Sequence, residues 1–197
     1  MELTQGFDVN PPPRQVWNFF GNIDEVVTCM PGASLTAPSD GRHVEGNISV
    51  KLGPIGANFA GEGDIERDDQ ALAGVIRGGG RDNRSGSRAK GEVRYKLVEE
   101  NGGASTRVDI VVEFTLAGAL AQFNRPGLVN DLAGRLTKQF AANLQAKLDA
   151  AQGGEAADAD APAKMGEAAA QIDAGSLLWA MIRDRIKAFF KSLFGGG

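Results

Sequence analysis

Histidine, cysteine and tyrosine each occur once in this 197-residue chain, and tryptophan twice. With Cys29 alone, no intramolecular disulfide can form, and nothing suggests an oxidising compartment. One cysteine and one histidine cannot build a Cys/His metal site, and no cluster of carboxylates shows ligand spacing. A histidine-based triad would have to use His43, which opens an alternating segment with no nucleophile elbow nearby. Catalysis is poorly supported, and a non-enzymatic role with no metal and no covalent cofactor is expected. No apolar run approaches the roughly 20 residues that span a bilayer. The segment MELTQGFDV has no charged region followed by an apolar run, so it does not read as a signal peptide. Basic residues are outnumbered, 21 against 25 acidic. Without an extended basic field to neutralise phosphates, nucleic acid is not an expected partner.

Large apolar residues are missing from one whole stretch, 149–175, which is rich in Ala, Gly, Asp and Glu. It cannot bury enough surface to offset the entropy of ordering it and reads as a flexible acidic linker. After it comes SLLWAMIRDRIKAFFKSLFGGG, residues 176–197. On a 3.6-residue helix, Leu178, Trp179, Ile182, Ile186, Phe189, Phe190 and Leu193 share one face. Arg183 and Arg185 lie at its edges, and Lys187 and Lys191 gather opposite. This is the pattern of a helix lying in a membrane interface, and its positive charge suits an anionic leaflet. Net charge follows the same division: −2 for 1–148, −5 for 149–175 and +3 for 176–197. The expected organisation is a folded domain at 1–148, a linker at 149–175 and an amphipathic membrane-binding helix at 176–197. The expected location is the cytoplasmic face of the cell membrane, peripherally bound.

Within the first 148 residues, Glu2 to Asn10 alternates as a strand and leads through Pro11-Pro12-Pro13 into a short helix, Arg14 to Phe20. Ile23 to Cys29 reads as a second short helix. Strands are expected at His43 to Leu52, Ile55 to Ile65, Ala71 to Gly78, Gly86 to Val98 and Ser105 to Leu116. The Gly-rich segment Gly78 to Asn83 reads as a hairpin tip, and Asn101-Gly102-Gly103 as another turn. Pro126 opens a long helix in which Leu128, Leu132, Leu136, Phe140, Leu144 and Leu148 recur every four residues. The class is α+β: a curved antiparallel sheet wrapped around one long amphipathic helix, an arrangement that tends to leave an apolar cavity.

Several segments carry a likeness: Gly6-Phe7, Pro12 to Trp17, Cys29 to Ala33, Val50 to Ile55 with Phe59 and Gly61, Arg81-Asp82-Asn83 with Gly86-Ser87, and Gly118 to Arg125. In order and spacing they resemble the CoxG family of carbon monoxide dehydrogenase proteins, part of the helix-grip, START-like (SRPBCC) superfamily. Asn124 departs from the pattern, which has glycine before the arginine. The resemblance implies a helix-grip fold with a cavity for a lipophilic ligand. It also implies association with molybdenum carbon monoxide dehydrogenase at membranes, and a part in handing electrons to membrane quinone. Many members of the superfamily have no such C-terminal tail.

Under that architecture the candidate ligand-binding residues are Trp17, Phe20, Phe59, Phe114, Leu120, Phe123, Leu132, Leu136 and Phe140 as apolar wall, with Gln122 and Arg125 as polar groups at the mouth. Each could equally fill a core. The basic set Arg77, Arg81, Arg84, Arg88, Lys90 and Arg94 reads as a solvated strand face, or as a patch for lipid headgroups or an acidic partner. The favoured function is a membrane-tethered protein that binds a quinone, menaquinone or ubiquinone, and carries it between bilayer and dehydrogenase. Two alternatives stand beside it: a recruitment adaptor without a ligand, and a small enzyme of the cyclase or hydratase type.

Overall fold

Seven antiparallel strands form one sheet in the order β1-β7-β6-β5-β4-β3-β2. In this computed structural model the residues described are 1–52, 55–123 and 126–155. The tail helix expected at 176–197, with its eleven candidate membrane-binding residues, lies outside them. The strands are β1 (Glu2–Val9), β2 (Ala33–Leu35), β3 (His43–Leu52), β4 (Ile55–Asp68), β5 (Ala73–Asp82), β6 (Ser87–Glu100) and β7 (Ser105–Ala117). Helices α1 (Pro13–Phe20) and α2 (Ile23–Cys29) fall between β1 and β2, and α3 (Pro126–Glu155) follows a 3-10 turn, Gly118–Phe123.

Local chemistry explains the helix starts. Pro13 occupies the first turn of α1, where a missing amide proton costs nothing. The Asn22 side chain accepts the Glu25 amide at 3.3 Å, and Asp24 and Glu25 favour the positive end of α2.

Burial along α3 is graded. Leu128 is 38 % exposed and Leu132 and Leu136 are half-buried, whereas Phe140, Leu144 and Leu148 are 8 %, 0 % and 2 % exposed. The C-terminal half is therefore the gripped half. It packs with Phe7, Val9, Val16, Trp17, Phe20, Cys29, Leu97 and Val108. Phe140 meets Phe7 edge-on at 5.6 Å between centroids, a favourable quadrupole arrangement. Polar ties hold the same half in place. Asn143 donates to the Cys29 carbonyl at 2.9 Å, Lys147 pairs with Glu25, and the Asn10 amide donates to the Gln145 side chain at 2.9 Å. The helix continues past Leu148, the last of its described residues to be buried, to Glu155. The backbone at 149–155, expected to be linker, is thus helical.

One expectation is corrected. Gly78-Gly79-Gly80 is not a hairpin tip but the interior of β5, which runs to Asp82. In register, Gly78 lies between Gly63 and Gly91, and Gly80 between Gly61 and Ala89. Three glycines in a row looked like a turn because, within one chain, glycine signals conformational freedom. Here it is needed for close packing between strands. The turn itself is Asn83–Gly86.

Candidate functional site

The inner face of the sheet carries a row of branched and aromatic side chains. Successive strands place Ile65, Ile76, Val93 and Val112 opposite one another. Beyond that row the face turns bare: Gly63, Gly78 and Gly91 form the next row and end at Phe114, and Gly46, Gly61, Gly80 and Ala89 form the one after. Two properties follow. The strands approach closely, because a Cβ on Gly78 would stand 2.5 Å from the Glu62 carbonyl oxygen and one on Gly91 2.6 Å from that of Glu113. The floor also has no side chains to fill the space above it.

That space is a cavity of about 460 Å³, open on one side. Its walls are Val27 of α2, Leu35, Val44, Ile48, Val50, Phe59, Ile76, Val93, Val112 and Phe114. Its size and its apolar lining are those of small-molecule sites. Ile48 on its rim is 47 % exposed, a large apolar side chain without cover.

The anticipated site residues separate into distinct places. Phe59 and Phe114 line the cavity. Trp17, Phe20 and Phe140 belong to the closed core beneath it. The Trp17 indole donates to Asp69 at 2.7 Å, Arg67 stacks over its ring at 4.0 Å, and Tyr95 packs on both Trp17 and Phe20. Leu132 and Leu136 are half-buried on α3 but are not part of the cavity wall, which comes from the sheet and α2. Leu120 is buried in the 3-10 turn, Gln122 is exposed there, and Phe123 ends it. Arg125 lies outside the described residues. The glycine floor was missed by sequence reasoning, although glycine at every second position in each of two strands (61 and 63, 78 and 80) was a readable sign.

A buried polar hub fixes the segment leading into α3. Asp82 and Ser87 pair across the end of the β5–β6 hairpin. Asp82 accepts the Ser85 hydroxyl at 2.8 Å and the Arg84 amide at 2.9 Å, and these bonds hold its carboxyl below the usual carboxylate range. The Ser85 hydroxyl also lies 2.9 Å from that of Ser87, whose oxygen accepts the Leu120 amide at 3.0 Å. Gly118, with φ of 79°, passes so close to Gly86 that no side chain would fit. This gives Asp82, Gly86, Ser87 and Gly118 a shared structural reason.

Other titratable groups are not gathered at the cavity. His43 pairs with Asp64 at 2.8 Å on the outer face, and that bond raises its pKa. Burial pushes up the Cys29 thiol and the Tyr95 hydroxyl, both in the core region. Among the described residues no three metal-binding side chains come together.

Solved structures share this fold. A conserved protein from Geobacillus kaustophilus superposes with a TM-score of 0.66 at 10 % identity, covering 77 % of this chain and 97 % of its own. The Zhui aromatase/cyclase of a Streptomyces species gives 0.53 at 10 % identity, covering 76 % and 93 %. A START superfamily protein from Mycobacterium smegmatis gives 0.51 at 10 % identity, covering 76 % and 98 %. At such identities the likeness concerns the helix-grip fold alone. No curated protein matches the sequence. The family model for the G subunit of carbon monoxide dehydrogenase (CoxG) matches residues 6–149, nearly the whole described part, and the chain belongs to that family.

Proposed function

We propose that this protein takes a lipophilic quinone, menaquinone or ubiquinone, into its cavity and carries it between a bilayer and a molybdenum carbon monoxide dehydrogenase. The observation that carries the reading is the cavity of about 460 Å³ with apolar walls and a bare glycine floor. Such a space holds a ring system and a short length of chain, and its open side lets a longer tail emerge. Burial of apolar surface contributes roughly 25 cal/mol per Å² relative to water, in protein as in lipid. Exchange between bilayer and cavity is then close to thermoneutral, as a carrier requires. The family to which the chain belongs supplies the partner.

On this reading the protein is a carrier and not a catalyst, because apolar walls bind and orient a ligand but supply no acid or base. No described helix is long and apolar enough to cross a membrane. The amphipathic segment 176–197 would keep the carrier at the cytoplasmic face, raising its effective concentration at the bilayer.

The test is mass spectrometry of an organic extract of the purified protein, beside the cavity-filling variants Ile76→Trp and Val93→Trp. A quinone present in the wild type and absent from folded variants supports the carrier. Equal quinone content in all three removes the cavity from the account. Failure of each to yield a lipid, together with intact binding to the dehydrogenase, turns the reading into a recruitment adaptor.

A further inference from the structure

The outer face of the same sheet carries charge in two unequal halves. Along its lower part, cations are neutralised. Arg77 pairs with Glu66 at 2.7 Å and Glu92 at 2.6 Å, Arg94 with Glu92 and Glu113, and Arg107 with Asp8 and Asp109. Arg81, Arg88 and Lys90 are exposed, and among the described residues they enter no such pair. Arg81 and Arg88 stand directly opposite each other in the β5–β6 register. Like charges at directly opposed positions destabilise a sheet. The flanking positions in that row are Ala60 and Ala117, which offer no counter-charge.

These three cations form one wall of an open depression of about 960 Å³. Its other wall is acidic: Glu45, Glu62 and Asp64, from β3 and β4. Gly79 lies between Glu62 and Lys90 in register, so no side chain stands between the two walls. The backbone of Gly61, Gly78 and Gly80 is the floor both of this depression and of the apolar cavity behind it. The sheet is one backbone thick there.

We propose that this outer face docks a protein partner that sets an acidic segment against Arg81, Arg88 and Lys90 and a basic one against Glu45 and Glu62. An anionic bilayer would be repelled by the acidic wall, whereas a protein surface can match both signs. The bare floor lets a partner's backbone approach within reach of the sheet. Docking here would place the partner against the back of the cavity wall, which rests on the carrier reading with the dehydrogenase as partner.

The experiment measures binding of the full-length protein to purified carbon monoxide dehydrogenase at low and raised salt. The variants are Arg88→Glu, which gives Arg81 an intramolecular partner, and Lys96→Glu, an exposed control further along β6. The expected result is an affinity roughly tenfold or more weaker for Arg88→Glu, with a smaller salt dependence. Its melting temperature should be equal or higher, because a like-charge pair has been relieved. Lys96→Glu should bind as the wild type does. Wild-type affinity in Arg88→Glu overturns the docking surface and leaves the carrier reading standing. Loss of anionic-vesicle binding in Arg88→Glu with dehydrogenase affinity intact also overturns it, in favour of lipid headgroups. No binding by the wild type overturns the docking surface and the dehydrogenase as partner, while quinone in the extract still stands for the cavity.

Discussion

Gly61 and Gly80 face each other across β4 and β5 on the cavity floor, so close that a Cβ on Gly61 would overlap the Gly79 carbonyl oxygen. Its neighbour Gly63 is different, since a Cβ there would meet the Arg77 carbonyl oxygen at 3.4 Å, an ordinary contact. The two glycines therefore predict opposite outcomes. Gly61→Ala should force β4 and β5 apart and cost about 1–3 kcal/mol. Gly63→Ala should be close to neutral, its lost unfolded-state entropy offsetting small adjustments. Urea denaturation of both variants checks the contrast, and equal costs would mean that the close approach is not what the glycines serve.

Two phenylalanines test the division between core and cavity wall. Phe140 sits in the closed core against Phe7, so Phe140→Ala should cost about 3–5 kcal/mol. Phe114 borders open space, so Phe114→Ala should cost less than half of that and should change ligand uptake. If Phe114→Ala proves as costly as Phe140→Ala, the wall is part of a closed core.

The hub behind the 3-10 turn predicts an acid sensitivity. The folded-state pKa of Asp82 is lowered by the Ser85 hydroxyl and the Arg84 amide. Its contribution is therefore whole above the ordinary carboxyl value and is lost as pH falls through the lowered folded value. The stability gap between wild type and Asp82→Asn should be constant at neutral pH and close in strong acid. A gap that persists unchanged through the acid range would show that Asp82 acts by shape alone.

Ser87→Ala addresses the same hub by another route. It leaves the buried Leu120 amide without its acceptor, at about 1–3 kcal/mol. Hydrogen exchange should show the Leu120 amide losing its protection ahead of the sheet. Retained protection at Leu120 would place its acceptor elsewhere.

The tail can be separated from the domain. Among the described residues, every buried one on α3 lies at or before Leu148. A chain lacking residues 176–197 should therefore keep its thermal transition and its cavity while losing attachment to anionic vesicles. Flotation of both forms on liposomes decides this, with equal flotation removing the anchor.

Much of the architecture was legible in local pattern. The period-two alternation of His43 to Leu52 and the cap and first-turn acids of Ile23 to Cys29 match β3 and α2 end for end. The four-residue spacing from Leu128 to Leu148 marked α3. Alternation and helical stripe are properties of a short segment, set by which side chains point the same way. They show that a face is apolar, not what covers it. The stripe of α3 is uniform in sequence, yet one half is gripped and the other partly open. Trp17, Phe20 and Phe140 looked as well suited to a cavity wall as Phe59 and Phe114. The curvature of the sheet decided which of them met another element and which met empty space. The glycines at 46, 61, 63, 78, 80 and 91 have the same explanation. Read singly they suggest turns and bulges. Only strand register brings them side by side, where the missing side chains let the strands close up and leave the cavity above them unfilled. Composition and periodicity set the fold class, and non-local pairing set the site.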